Sequence, residues 1–210
     1  MLTLALAAVC FGPGRPFKYR MAQQCLADGR WRTCPPQHAP TDLVYDVVID
    51  SMYFSPFAQA RRSGGLVLLE ARTSTGDGVD APALVRALSA AAPPEVRWQV
   101  PDLVQRFVRE NAAPATLGRL LTVEARQRFL DSVAVERYFG PADSVGAPLE
   151  PGELVPRSGL LTLSRVAFDA SGNWALAWAG RRDRAREGSA AYFLLHLDEG
   201  RWREVARVQG

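Results

Sequence analysis

Apolar and polar positions alternate most clearly between Ser158 and Val208, and this period of two predicts an antiparallel meander of four strands. In the first strand Leu160, Thr162, Ser164, Val166 and Phe168 fall on one face, and Leu161, Leu163, Arg165 and Ala167 on the other. Both faces are largely apolar, which places the strand inside a sheet rather than at its edge. Asp169-Ala170-Ser171-Gly172-Asn173 has the length of a hairpin loop and leads into Trp174 to Trp178, where large and small residues alternate. A third strand, Ala190 to Leu197, turns at Asp198-Glu199-Gly200 into a fourth, Arg201 to Val208, with Trp202, Glu204, Ala206 and Val208 on one face.

Upstream the spacing becomes helical. Thr41-Asp42 caps a helix that buries Leu43, Val44, Val47, Val48 and Met52. Gly64-Gly65 opens an interior strand from Leu66 to Thr73, and the polar loop Thr73 to Gly78 lacks the Gly-Lys-Ser/Thr of a phosphate loop, so it reads as a turn. Asp80 caps a helix from Pro82 to Ala91, which Pro93-Pro94 ends. Pro101 begins another, through Asn111, burying Leu103, Val104, Phe107 and Val108. Leu117 to Val123 reads as a short strand, and Ala125 to Tyr138 as a further helix stopped by Gly140-Pro141. The expected class is α+β: a mainly antiparallel sheet, built on the C-terminal four-strand meander, packed against three or four helices from the N-terminal half.

Three segments follow. Residues 1–10 form an apolar run that resembles the end of a signal peptide without its basic start. The run is shorter than the roughly 20 residues a membrane-crossing helix needs. Cys10 ends it and is a candidate for lipidation, although Val9 and Ala7 depart from the usual lipidation sequence; a signal-peptide stub is the alternative. Residues 11–40, with eight Gly and Pro residues from Gly12 to Pro40 and no sustained period, read as a linker. Within it Cys25 and Cys34 are close enough to form a disulfide in an oxidising compartment. Together with His38 they match no zinc spacing, so no metal is expected. Residues 41–210 form a single domain without cysteine, hence without a staple or a thiol nucleophile.

The runs Gly159 to Asp169, Ala175-Leu176-Ala177-Trp178, Tyr192-Phe193-Leu194-Leu195 and Arg201-Trp202 resemble the C-terminal part of a family of bacterial exported proteins and lipoproteins. That family shows a "SRVGFN" strand, an "ALVY" strand, a "GSYYLL" strand and a closing "W.V" strand. Val44 to Val48, Leu66 to Leu69 and Phe107 to Asn111 are similar to its weaker N-terminal signposts, so the resemblance covers roughly residues 42 to 208. Ala167 replaces the family's Gly, and the loop Arg181 to Ser189 is richer in Arg. The resemblance implies an exported protein in the periplasm, cell envelope or extracellular space, and no particular activity.

Charge changes the picture little. Basic and acidic residues nearly balance, 25 against 22, and among the basic ones only Lys18 is not Arg, a skew that a GC-rich genome explains. Arg181, Arg182, Arg184 and Arg186 are the best candidate for a binding surface, since each offers a forked donor to phosphate or carboxylate. Asp183 and Glu187 dilute this cluster and no aromatics interleave, so nucleic acid is not expected as a partner. A Ser-His-acid set needs a histidine, and the body offers only His196; Ser164 and Asp169 are its candidate companions. There is no G-x-S-x-G elbow. Glu70 and Arg165, charges set beside covered strands, are expected to form an internal ion pair. No cofactor is indicated. Two functions follow: a non-catalytic exported module that binds an envelope protein or small ligand, or a hydrolase-like enzyme using Ser164, His196 or sheet carboxylates. Membrane contact would come only through an N-terminal lipid or an uncleaved signal.

Overall fold

The computed structural model describes residues 24–27, 30–33, 40–54, 66–76, 78–118, 120, 126–139, 159–183 and 186–210. The chain divides between Ala39 and Pro40 into two units. In the first, β1 (Gln24–Ala27) pairs antiparallel with β2 (Arg30–Thr33), Cys25 standing opposite Arg32. The stretch read as linker therefore contains a hairpin; neither paired run carries a Pro or Gly to interrupt a ladder. Cys10, Cys34 and His38 lie outside the described residues, and with them the expected lipidation site and disulfide.

The second unit runs, in chain order, α1 (Pro40–Ile49) with a π-helical turn (Asp50–Phe54), β3 (Leu66–Glu70), α2 (Ala81–Ala91), a 3₁₀ turn (Pro94–Gln99), α3 (Val100–Glu110), β4 (Arg126–Leu130) and α4 (Ser132–Phe139). Then come β5 (Leu160–Leu163), β6 (Ala167–Phe168), β7 (Trp174–Asp183), β8 (Arg186–Asp198) and β9 (Arg201–Gln209). Sequence marks two of the helix starts. The Asp80 carboxylate accepts from the Ala83 amide at 2.9 Å to cap α2, and prolines near the starts of α2 and α3 sit where no amide bond is lost.

The fold is α+β, with a mixed sheet ordered β4-β3-β5-β7-β8-β9 and β6 also beside β7. The meander half is antiparallel, whereas β3 runs parallel to both of its neighbours, β4 and β5. One face packs α1 through Val44, Tyr45 and Val48 against Ala175, Ala177 and Ala179 of β7 and Phe193 and Leu195 of β8. Alanines on alternate positions of the central strand let the helix come close. The opposite face carries Leu176, Leu194 and Ala206 under Leu84 and Leu88 of α2 and Val104 and Phe107 of α3. Beside them Leu68 and Leu160 lie under Val135 and Phe139 of α4.

Four sequence expectations are corrected. The first meander strand is not continuous: it breaks at Ser164-Arg165-Val166, so Leu161 and Leu163 share their face with Val166 and Phe168, and Ala167 faces the other way. The break inserts one residue, which inverts the alternation. A second slip occurs in β9, where Leu194 pairs with Ala206 but Leu195 with Glu204, leaving Val205 extra. Trp202 consequently packs on the α1 side, against Phe168, and Ala206 on the α2 and α3 side. The expected helix Ala125 to Tyr138 is instead β4 followed by α4, with the Asp131 carboxylate capping the helix through the Ala134 amide at 2.8 Å. Leu117, Gly118 and Leu120 form no strand; Thr116 bridges Arg72, and Leu117 and Leu120 are buried against the α1 face.

Candidate functional site

The break between β5 and β6 is where the chain concentrates its buried polar chemistry. Thr73, Asn111 and Ser164 are the buried polar residues among those described, and all three lie along this seam. Losing the strand there frees backbone groups that must find partners in an apolar interior. Ser164 supplies two of them. Its amide donates to the Trp178 carbonyl at 2.9 Å, and its hydroxyl oxygen accepts from the Trp178 amide at 2.8 Å, standing in for a strand carbonyl. The hydroxyl proton goes to the Arg165 carbonyl at 2.9 Å, and the Ser164 carbonyl accepts from the Tyr45 hydroxyl at 2.7 Å. Burial, then the nearby Asp42 carboxylate, holds the Tyr45 phenol above its ordinary pKa, with Arg165 opposing.

Asn111, fully buried just after α3, serves the next residue. Its side-chain carbonyl accepts from the Arg165 amide at 2.7 Å, and its amide group donates to the Arg165 carbonyl at 3.1 Å and to the Phe107 carbonyl at 2.9 Å. Its backbone carbonyl takes the Gly76 amide at 2.7 Å. Thr73 completes the seam, its hydroxyl accepting from the Ala115 amide at 2.8 Å. Three chain segments are thereby laced together: the exit of β3, the end of α3 and the break.

These bonds decide the candidates for catalysis. The Ser164 hydroxyl donates to one main-chain group and accepts from another, in a residue only 2% exposed. His196 stands opposite Trp174, four residues along β7 from the Trp178 that Ser164 bonds. At the rise of a strand this is roughly 13 Å, too far for a proton relay. The His196 ring stacks on Trp174, centroids 4.2 Å apart and planes at 28°. Asp169 closes the β6–β7 turn, accepting from the Trp174 amide at 2.9 Å and the Ser171 hydroxyl at 2.6 Å. Burial pushes its carboxyl up, but the Ser171 hydroxyl and the amides of Trp174, Ser171 and Asn173 together hold it below the usual carboxylate value. Ser164, His196 and Asp169 thus do not assemble.

The expected ion pair is also corrected. Arg165 is exposed and pairs with Glu110, Nη2 to Oε2 at 3.1 Å, while Nη1 donates to the Glu110 carbonyl at 2.9 Å; Glu70 is not its partner. The strand break turns Arg165 outward, so no charge is buried and no interior partner is needed. The arginine cluster separates too. Arg181 donates to the Met52 carbonyl at 3.3 Å on the α1 side, whereas the Arg182 guanidinium lies 6.0 Å from the Phe139 ring centroid on the α4 side. Consecutive strand residues face opposite ways. Arg184 and the Arg186 side chain lie outside the described residues.

Sequence reasoning missed a second polar group at the surface. The Arg207 guanidinium grips both oxygens of Glu204, at 2.9 and 2.7 Å, and lies 4.8 Å from the Phe193 ring centroid. The Ser51 hydroxyl donates to Glu204 at 2.6 Å and also contacts Arg207, tying the π-helical turn to β9. The Val205 slip creates this meeting by turning Glu204 and Arg207 to one side, and strict alternation hides it. Among the described residues no three His, Cys, Asp or Glu side chains converge as metal ligands, and no helix is long and apolar enough to cross a membrane. Comparison with protein-family models, with curated proteins and with solved structures found no match.

Proposed function

We propose that this chain is an exported module of the bacterial cell envelope that binds an envelope protein or a small ligand and performs no catalysis. The observation that carries the second half of this reading is the state of Ser164: its hydroxyl replaces a ladder carbonyl, with the one histidine of the domain body stacked on Trp174 well along the sheet. A nucleophile must be free to lose its proton to a base and to meet substrate, and this hydroxyl is held in a backbone network instead. The first half is supported by the apolar leader-like run before Cys10 and by the resemblance of the meander to exported proteins.

Two measurements test the halves separately. Fractionation of cells producing the chain with a C-terminal tag is expected to recover it from the envelope or the medium, and recovery solely from the cytosol overturns export. Purified protein is expected to hydrolyse p-nitrophenyl acetate no faster than a denatured control. Turnover abolished by both Ser164→Ala and His196→Ala, each verified as folded, would instead establish the hydrolase.

A further inference from the structure

We draw no further inference here: the strongest candidate, the exposed tip between α2 and α3 where Trp98 stands 74% exposed with its indole N–H held by the Glu95 carbonyl, is an apolar patch for which nothing in the structure shows what covers it.

Discussion

Asn111 makes three side-chain hydrogen bonds to main-chain groups of two other residues, and replacing it would strand the Arg165 amide, while the Arg165 carbonyl keeps the Ser164 hydroxyl. An unsatisfied group in such a seam costs about 1–3 kcal/mol, so Asn111→Leu is expected to lower unfolding free energy by about 1–3 kcal/mol in urea titrations. Ser164→Ala, which orphans the Trp178 amide, should cost about 1–2 kcal/mol. Because the Arg165 carbonyl accepts from both side chains and loses both only in the double variant, that variant should lose more than the sum of the two; strict additivity would show that they act independently. Asp169 carries a pH signature. Its folded pKa lies below the unfolded one, so its ionised form contributes stability that is complete above the unfolded value, about 3.9, and is lost as pH falls through the folded value. The stability gap between the native chain and Asp169→Asn, read from urea midpoints, should therefore be constant near neutrality and close on acidification below about pH 4. A gap that widened in acid would contradict the hydrogen-bonded turn. None of these roles can be read from residue type alone. Ser164 and Asp169 looked like parts of a triad because catalytic and turn-closing roles use the same side chains, and only the register along β7 separates them.

At the scale of elements the sequence was most informative where one period persists. The strands β7, β8 and β9 and the helices α2 and α3 lie close to the segments that alternation and capping residues predict. It failed where a single residue interrupts the period. Strict alternation runs through Ser164-Arg165 and through Val205, yet each site inserts one residue, and neither has the Gly or Pro that would announce it. At β4 the failure is different: five residues of parallel strand adjoin α4 through Asp131 alone, and a strand that short has no period of its own to set against the helix that follows. The β8–β9 turn offers a direct test of element geometry. Glu199 and Gly200 both take positive φ, 48° and 76°, as a two-residue turn matched to strand twist requires. Glutamate is poorly suited to that conformation, while asparagine adopts it more readily. Glu199→Asn is expected to raise stability by about 0.5–1 kcal/mol without moving β8 or β9. An unchanged or lower urea midpoint would mean that the Glu199 side chain contributes something the backbone angle does not reveal.

For the whole molecule, the question is whether the sheet unit needs what precedes it. Its three apolar clusters draw on both faces of one sheet, and each is closed by helices from within Pro40–Gly210: α1 on one side, α2, α3 and α4 on the other. A chain of that length buries enough surface to hold a core unaided, whereas a two-stranded hairpin such as β1–β2 is marginal alone. The body also lacks cysteine, so its stability cannot rest on a disulfide. A protein comprising residues 40–210 is therefore expected to unfold cooperatively, at a urea midpoint close to that of the full chain and identical with and without reductant. The far-ultraviolet spectrum should retain the mixed helix and strand signature. Loss of the cooperative transition on truncation would place part of the core in the first unit, and a reductant-sensitive midpoint in the full chain alone would assign Cys10, Cys25 or Cys34 a stabilising bond. If the truncated protein behaves as expected, the leader-like run and the hairpin are free to serve export or attachment. The proposed binding would then be tested on the sheet unit by itself.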